Sequence, residues 1–239
     1  MLYFSYLLKK ECVMSIYDRD YYRETYNQRQ SGGVNAVFII IIINVIVFFV
    51  VNILLSRQPQ SWQMISLGGL SVKGVKSGYI WQFVSYFFLH SGFMHIIFNM
   101  YFLYLSGSNL ERVLGKKEFL TFYFACGIGS GFLSFLVYLF TNANILLIGA
   151  SGAIFGCMLA FGTFYPDAQM IAFFIIPVRL KARIFILLYL GLELFRELTG
   201  GVGNVSHLTH LFGALVAYFY IRFRFRMDPI KILLGNSFF

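Results

Sequence analysis

Charged side chains make up only 12% of this chain's 239 residues, about half the share found in an ordinary soluble domain. Hydrophobic residues make up 59% and aromatics 20%. The shortage of charge excludes a water-soluble globule and points to a chain that folds in lipid. Cysteine is almost missing as well. Cys12, Cys126 and Cys157 are odd in number and lack metal-ligand spacing, which rules out a disulfide framework. Cys126 and Cys157 fall in apolar runs and read as small core residues. No internal repeat and no low-complexity linker is visible. No cleavable signal peptide is evident either, because the apolar Met1–Leu8 is too short and its basic residues follow it. Met14 is an alternative start, since the stretch after it reads as a soluble tail.

What is present is a series of apolar runs. A spanning helix needs about 20 mostly apolar residues. Val34–Leu55, Phe93–Leu110, Phe119–Phe140, Ile145–Tyr165 and Val205–Ile221 meet or approach that length. Ile184–Leu198 is shorter and carries Glu193, Arg196 and Glu197. Six runs predict an all-α polytopic membrane protein, a six-transmembrane-helix bundle over residues 34–222 between terminal tails 1–33 and 223–239. The net charge of +9 would suggest nucleic acid in a soluble chain, but here the basic residues lie between the apolar runs and report topology instead. Arg57, Lys73, Lys76 and Arg196 fall on one side of the six spans, and the other fifteen Lys and Arg on the opposite side. Basic residues collect in the cytoplasm, so both termini are expected there, and the sixth run is oriented correctly only if the short fifth one also spans. The outer loop Ser56–His90 is rich in aromatics and suits the membrane interface. Gly127, Gly129 and Gly131 of the third span suit close helix packing.

Polar side chains inside spans are costly and are functional candidates by default. His95 and Asn99 are four residues apart on one face of the second span. Ser151 lies between one and two turns into the fourth, and His210 at a similar depth in the sixth. At 1.5 Å per residue, all four fall roughly 5–11 Å below the outer boundary. That set has the parts for acyl transfer. A histidine can take the proton of a serine nucleophile, and Asn99, His95 and the backbone N–H of Ser151 can hold an oxyanion. Gly149 and Gly152 admit substrate backbone and neighbouring helices. The pairs Gly152/Gly156 and Gly213/Ala217 let spans four and six touch. Phe155, four residues after Ser151, can pack under the histidine. No Asp or Glu lies at this depth in spans two, four or six, so a Ser–His dyad is expected rather than a triad. Between the two histidines of span six, His210 stands on the stripe of Gly213 and Ala217, whereas His207 lies nearer the outer water.

These motifs resemble the rhomboid family of intramembrane serine proteases. The spacing of His90, His95 and Asn99, the "GASG" around Ser151, and "HLFGALVA" with His210, Gly213 and Ala217 carry the resemblance. Glu111 and Gly115 match the acid and glycine after span two, and the likeness covers roughly Tyr79–Tyr220. It implies a six-helix bundle with a water-filled cavity open to the outer face, a Ser151–His210 dyad, and cleavage of transmembrane protein substrates near the outer boundary. It also implies lateral substrate access beside span five. Two positions depart from the pattern: Gln82 follows Trp81 where arginine is common, and Phe212 stands where a small residue is common.

The expected function is therefore a serine endopeptidase of a cell membrane, multi-pass, in a bacterial plasma membrane, with no cofactor or metal and no nucleic-acid partner. Membrane lipid and transmembrane proteins are its expected partners; the sequence does not specify an oligomeric state. The alternatives are a non-catalytic member that binds membrane proteins, and a metal site or transporter built from His90, His95, His207 and His210. The last would lack a carboxylate ligand, and the His-Glu-x-x-His helix motif is absent.

Overall fold

A run of β-branched residues makes a poor helix in water, because each loses side-chain freedom against the preceding turn. In lipid the backbone has no water to bond and must satisfy itself within the segment. The stretch Ala36–Phe49 accordingly forms helix α1, continued by a π-helical turn over Val50–Leu54. The computed structural model describes residues 35–55, 59–173, 177–199 and 206–235. The N-terminal tail 1–33, with Cys12 and Met14, lies outside the described residues.

Further long helices follow among the described residues. Helix α2, Phe93–Phe102, passes through a π-helical turn into Ser108–Leu114. Gly115, at φ +81°, turns the chain into α3, Lys116–Thr141, which ends at the left-handed Asn142. Helix α4 is Ser151–Phe164, α5 is Ala182–Leu198, and α6 is His207–Tyr220 with a π-helical turn over Ile221–Phe225. Among the described residues, two helical stretches are long and apolar enough to cross a membrane by themselves, Ala36–Leu54 and Lys116–Thr141. Gln82–Phe88 and Phe93–Leu114, bent by 99° at their junction, make a third if taken together.

Helix α4 is the axis of the bundle. Every residue from Gly152 to Phe164 is buried, and α4 packs most extensively on α6 and then on α3. The outer helices instead expose long apolar faces, among them Ile42, Ile46 and Phe49 on α1 and Met94 and Phe98 on α2. Faces of this extent are not left to water in a soluble monomer; they fit contact with lipid. Glu111 ties α2 to α1. Its carboxylate accepts from the N–H groups of Ala36 at 2.7 Å and Val37 at 3.0 Å, two of the four donors that the first turn leaves open.

The structure departs from the sequence reading at several points. Span four was expected to be helical from Ile145, but α4 begins only at Ser151. Residues 143–150 run non-helically, held by paired backbone hydrogen bonds between Leu70 and Leu147 (2.9 and 2.8 Å) and by Gly149 N–H to the Tyr86 carbonyl at 2.9 Å. Irregular backbone is tolerated at membrane depth when protein supplies its partners. The mostly helical structure also holds a small antiparallel strand pair, Gln169–Phe173 with Pro177–Lys181, after span four, which the all-α expectation did not include. Asp167 sits beside it, 3.0 Å from both Lys181 and Arg183, and its hydrogen bond with the Lys181 ammonium holds its carboxyl below the usual carboxylate range. The last helix continues as a π-helical turn to Phe225, and a short helix, Pro229–Leu233, buries Ile232 and Leu233.

The Gln82 departure has a structural account. Its side chain is fully buried. Oε1 accepts from the Ser71 N–H at 3.1 Å, and Nε2 donates to the Ser66 and Leu67 carbonyls at 3.1 and 3.2 Å. A neutral amide thus anchors the outer loop by satisfying three backbone groups without burying a charge.

Candidate active site

Ser151 opens α4, and His210 lies one turn into α6. His210 Nε2 is 2.7 Å from Ser151 Oγ. Glycine makes this approach possible. A Cβ on Gly213 would collide with the Gly152 carbonyl, and one on Gly152 with Ser130 Oγ. A Cβ on Gly156 would stand 2.6 Å from Cys126 Sγ. The small residues of α4 and α6 therefore bring two backbones within reach of one short side-chain contact. Cys126 and Cys157 are buried and unpaired. A chain of hydroxyls further fixes α6 against α3: Tyr138 to Ser206 at 2.6 Å, Ser206 to Thr209 at 2.6 Å, and Thr209 to Ser134 at 2.7 Å.

The imidazole of His210 is held on two sides. The Phe155 ring stacks on it, centroids 4.4 Å apart and planes 7° from parallel, and Tyr189 of α5 stacks on the far face of that column at 5.1 Å from Phe155. At its edge, His210 Nδ1 is 2.7 Å from Glu193 Oε2. The same oxygen is 2.7 Å from His207 Nδ1. Glu193 comes from span five, whereas the expectation of a dyad rests on spans two, four and six. Its signal was in the sequence: an ionisable residue between Leu192 and Leu194 in an apolar run is a functional candidate by default, yet it read only as a weakness of that span. His207, expected near the outer water, is instead 7% exposed and bonded to Glu193. The metal reading changes too, since Glu193, His207 and His210 place one ligand atom each within 4.8 Å of one another, and a carboxylate is among them.

On the other side of Ser151, His95 and Asn99 converge on Gly149. A Cβ added there would meet His95 Nε2 at 2.6 Å and Asn99 Nδ2 at 3.8 Å, and φ of +115° already restricts the position to glycine. His95 Nδ1 faces the hydroxyl of Ser91 at 3.0 Å and its backbone N–H at 3.4 Å. A backbone N–H only donates, so Nδ1 accepts and the ring proton resides on Nε2, directed toward Gly149. Ser91 was not singled out from the sequence, because a serine in an outer loop has many ordinary uses. The first-turn N–H groups of α4 add donors at the same point, since a helix start leaves them without intrahelical partners. His90 does not join this group. It is buried with its ring edge-on to His95, centroids 5.0 Å apart, and its carbonyl accepts from Asn52 at 3.1 Å.

A hydroxyl beside an imidazole nitrogen, facing a cluster of N–H donors, can transfer an acyl group. A family model of the Rhomboid domain matches residues 77–227, well over half of the chain. Over 188 residues the chain is 27% identical to Rhomboid protease GluP of Bacillus subtilis, covering 79% of this chain and 35% of that protein. It is 31% identical over 114 residues to Rhomboid-like protease 1 of Toxoplasma gondii, covering 46% of this chain and 38% of the relative. RHOMBOID-like protein 4 of Arabidopsis thaliana is 38% identical over 101 residues, covering 42% of this chain and 25% of the relative. The chain spans well under half the length of each of these three relatives.

Proposed function

The chain belongs to the rhomboid family, and from that premise we propose that it is an intramembrane serine endopeptidase that cuts transmembrane protein substrates near the outer membrane boundary. The observation that carries this reading is the 2.7 Å contact between Ser151 Oγ and His210 Nε2. His210 Nε2 takes the hydroxyl proton as Oγ bonds to the scissile carbonyl carbon. The carbonyl electron pair moves onto oxygen, where the N–H of Ser151, Nε2–H of His95 and the amide of Asn99 stabilise it. His210 then returns the proton to the leaving amine as the C–N bond breaks. Water attacks the acyl-enzyme by the same route, giving its proton to His210, which passes it to Ser151 Oγ as the acyl C–O bond breaks and the acid leaves.

The membrane arrangement follows from the same reading. Six helices, α1 to α6, cross the bilayer with both termini in the cytoplasm of a bacterial plasma membrane, the core of the fold being residues 34–222. Helix α4 has 14 residues and rises about 21 Å, short of the roughly 30 Å hydrocarbon core. With Phe164 at the inner boundary, Ser151 lies about 9 Å below the outer one. The non-helical segment before Ser151 fills the remaining depth.

Labelling with a fluorophosphonate tests the chemistry. The wild type is expected to label at Ser151 and to cleave a single-span substrate. Ser151→Ala and His210→Ala lose both activities while remaining folded, and His207→Ala leaves both measurable. Cleavage by Ser151→Ala within tenfold of wild type would remove the serine mechanism.

A further inference from the structure

The nucleophile stands on α4 and the base on α6, but the atom facing the rear nitrogen of the base comes from α5. We propose that Glu193 is a positioning residue for the proteolysis, making the unit a Ser151–His210–Glu193 triad; this rests on the reading of Ser151 and His210 given above. Glu193 is 2% exposed, between Leu192 and Leu194 in the sequence. A buried carboxylate is destabilising unless it is paired and hydrogen-bonded, and this one is hydrogen-bonded through Oε2 and paired at longer range through Oε1. Oε2 faces Nδ1 of His207 and of His210 at 2.7 Å each, and Oε1 faces Arg196 Nη1 at 3.9 Å.

The consequence for His210 follows from donor and acceptor inventory. An ionised carboxylate only accepts, so the ring proton of His210 resides on Nδ1. Nε2 then presents its lone pair to the Ser151 hydroxyl, which is the tautomer a general base needs. When Nε2 takes the proton, positive charge develops on a ring 2.7 Å from Glu193, in surroundings of low dielectric where such pairing is strong. Glu193 itself takes no proton. Its helix supplies two restraints at once. Tyr189 and Glu193 are four residues apart and share a face of α5, the first stacked on Phe155 beneath the imidazole, the second at its edge. The triad is therefore complete only while α5 lies against α6.

Tautomers and kinetics test this together. The chain has four histidines, few enough to resolve by ¹⁵N-histidine NMR of the full protein in micelles. Wild-type His210 is expected as the Nδ1–H tautomer. In Glu193→Gln the carboxamide can donate to Nδ1, and the population moves toward Nε2–H. The corresponding change in a soluble serine protease lowers kcat by about 10⁴. Here kcat for a transmembrane substrate is expected to fall about 10²-fold or more, with KM little changed and fluorophosphonate labelling slowed in step. Glu193→Asp should recover much of the loss, which a carboxylate that only clamps two helices would not require. A Glu193→Gln protein that keeps wild-type kcat, or one that loses only KM, overturns the proposal. So does a wild-type His210 found as Nε2–H, whatever the fate of the variants. A stoichiometric zinc ion in the purified protein that disappears in Glu193→Gln would replace it with a metal site. His210→Ala is measured alongside. If that variant still cleaves, the fault lies with the proposed base; if it is inactive while Glu193→Gln is normal, the fault lies with Glu193 alone.

Discussion

Replacing Gly213 by alanine tests whether the α4–α6 approach sets the chemistry. The added methyl would collide with the Gly152 carbonyl, a backbone atom that cannot rotate away. Relief requires α6 to move from α4 by about 1.5 Å, the difference between this collision and ordinary contact. His210 lies three residues before Gly213 on the same helix and moves with it. Its 2.7 Å contact with Ser151 would then open beyond the about 3.2 Å limit of a working hydrogen bond. A misplacement of that size costs on the order of 10²-fold in rate, and overpacking a helix interface costs about 1–3 kcal/mol of stability. The assay is cleavage of a single-span substrate in proteoliposomes, with the thermal midpoint of each protein measured in micelles. Gly191→Ala on α5 is the control, because a Cβ there meets nothing within 4 Å, and alanine favours a helix over glycine by about 1 kcal/mol. The control should be as active as wild type and no less stable. A Gly213→Ala protein with wild-type rate and midpoint would refute the argument that this glycine sets the distance between serine and histidine.

Asn99→Ala and His95→Ala should each slow cleavage by about 10²-fold, as loss of one oxyanion donor does, with little change in KM; normal rates in both would place the oxyanion site elsewhere. Gln82→Ala leaves the Ser71 N–H and the Ser66 carbonyl without their partner, so it should lower stability by about 1–3 kcal/mol, read as a lower thermal midpoint. Unchanged melting would mean that the outer loop is held by other contacts.

The sequence by itself determined the class of this protein. Scarce charge and long apolar runs make a helical membrane chain, and the ordered motifs around His95, Ser151 and His210 carry the likeness to rhomboid proteases. Both signals are local, since a hydropathy window or a short spacing needs no knowledge of neighbours. Where α4 begins was not legible, because Ile145–Ile148 is as apolar as the helix that follows. Backbone bonds from Leu70 and Tyr86 hold that segment out of helical form and leave Ser151 at a helix start. Nor could periodicity reveal that Glu193 meets two histidines 14 and 17 positions later. A helical repeat says which residues share a face, not which helix that face will touch. Gln82 shows the same limit: in the sequence it is only a departure from a common arginine, and the three backbone groups that close around its amide belong to the tertiary structure. Pairings across helices depend on how close the backbones come, and that distance is decided where α4 and α6 meet through Gly152 and Gly213.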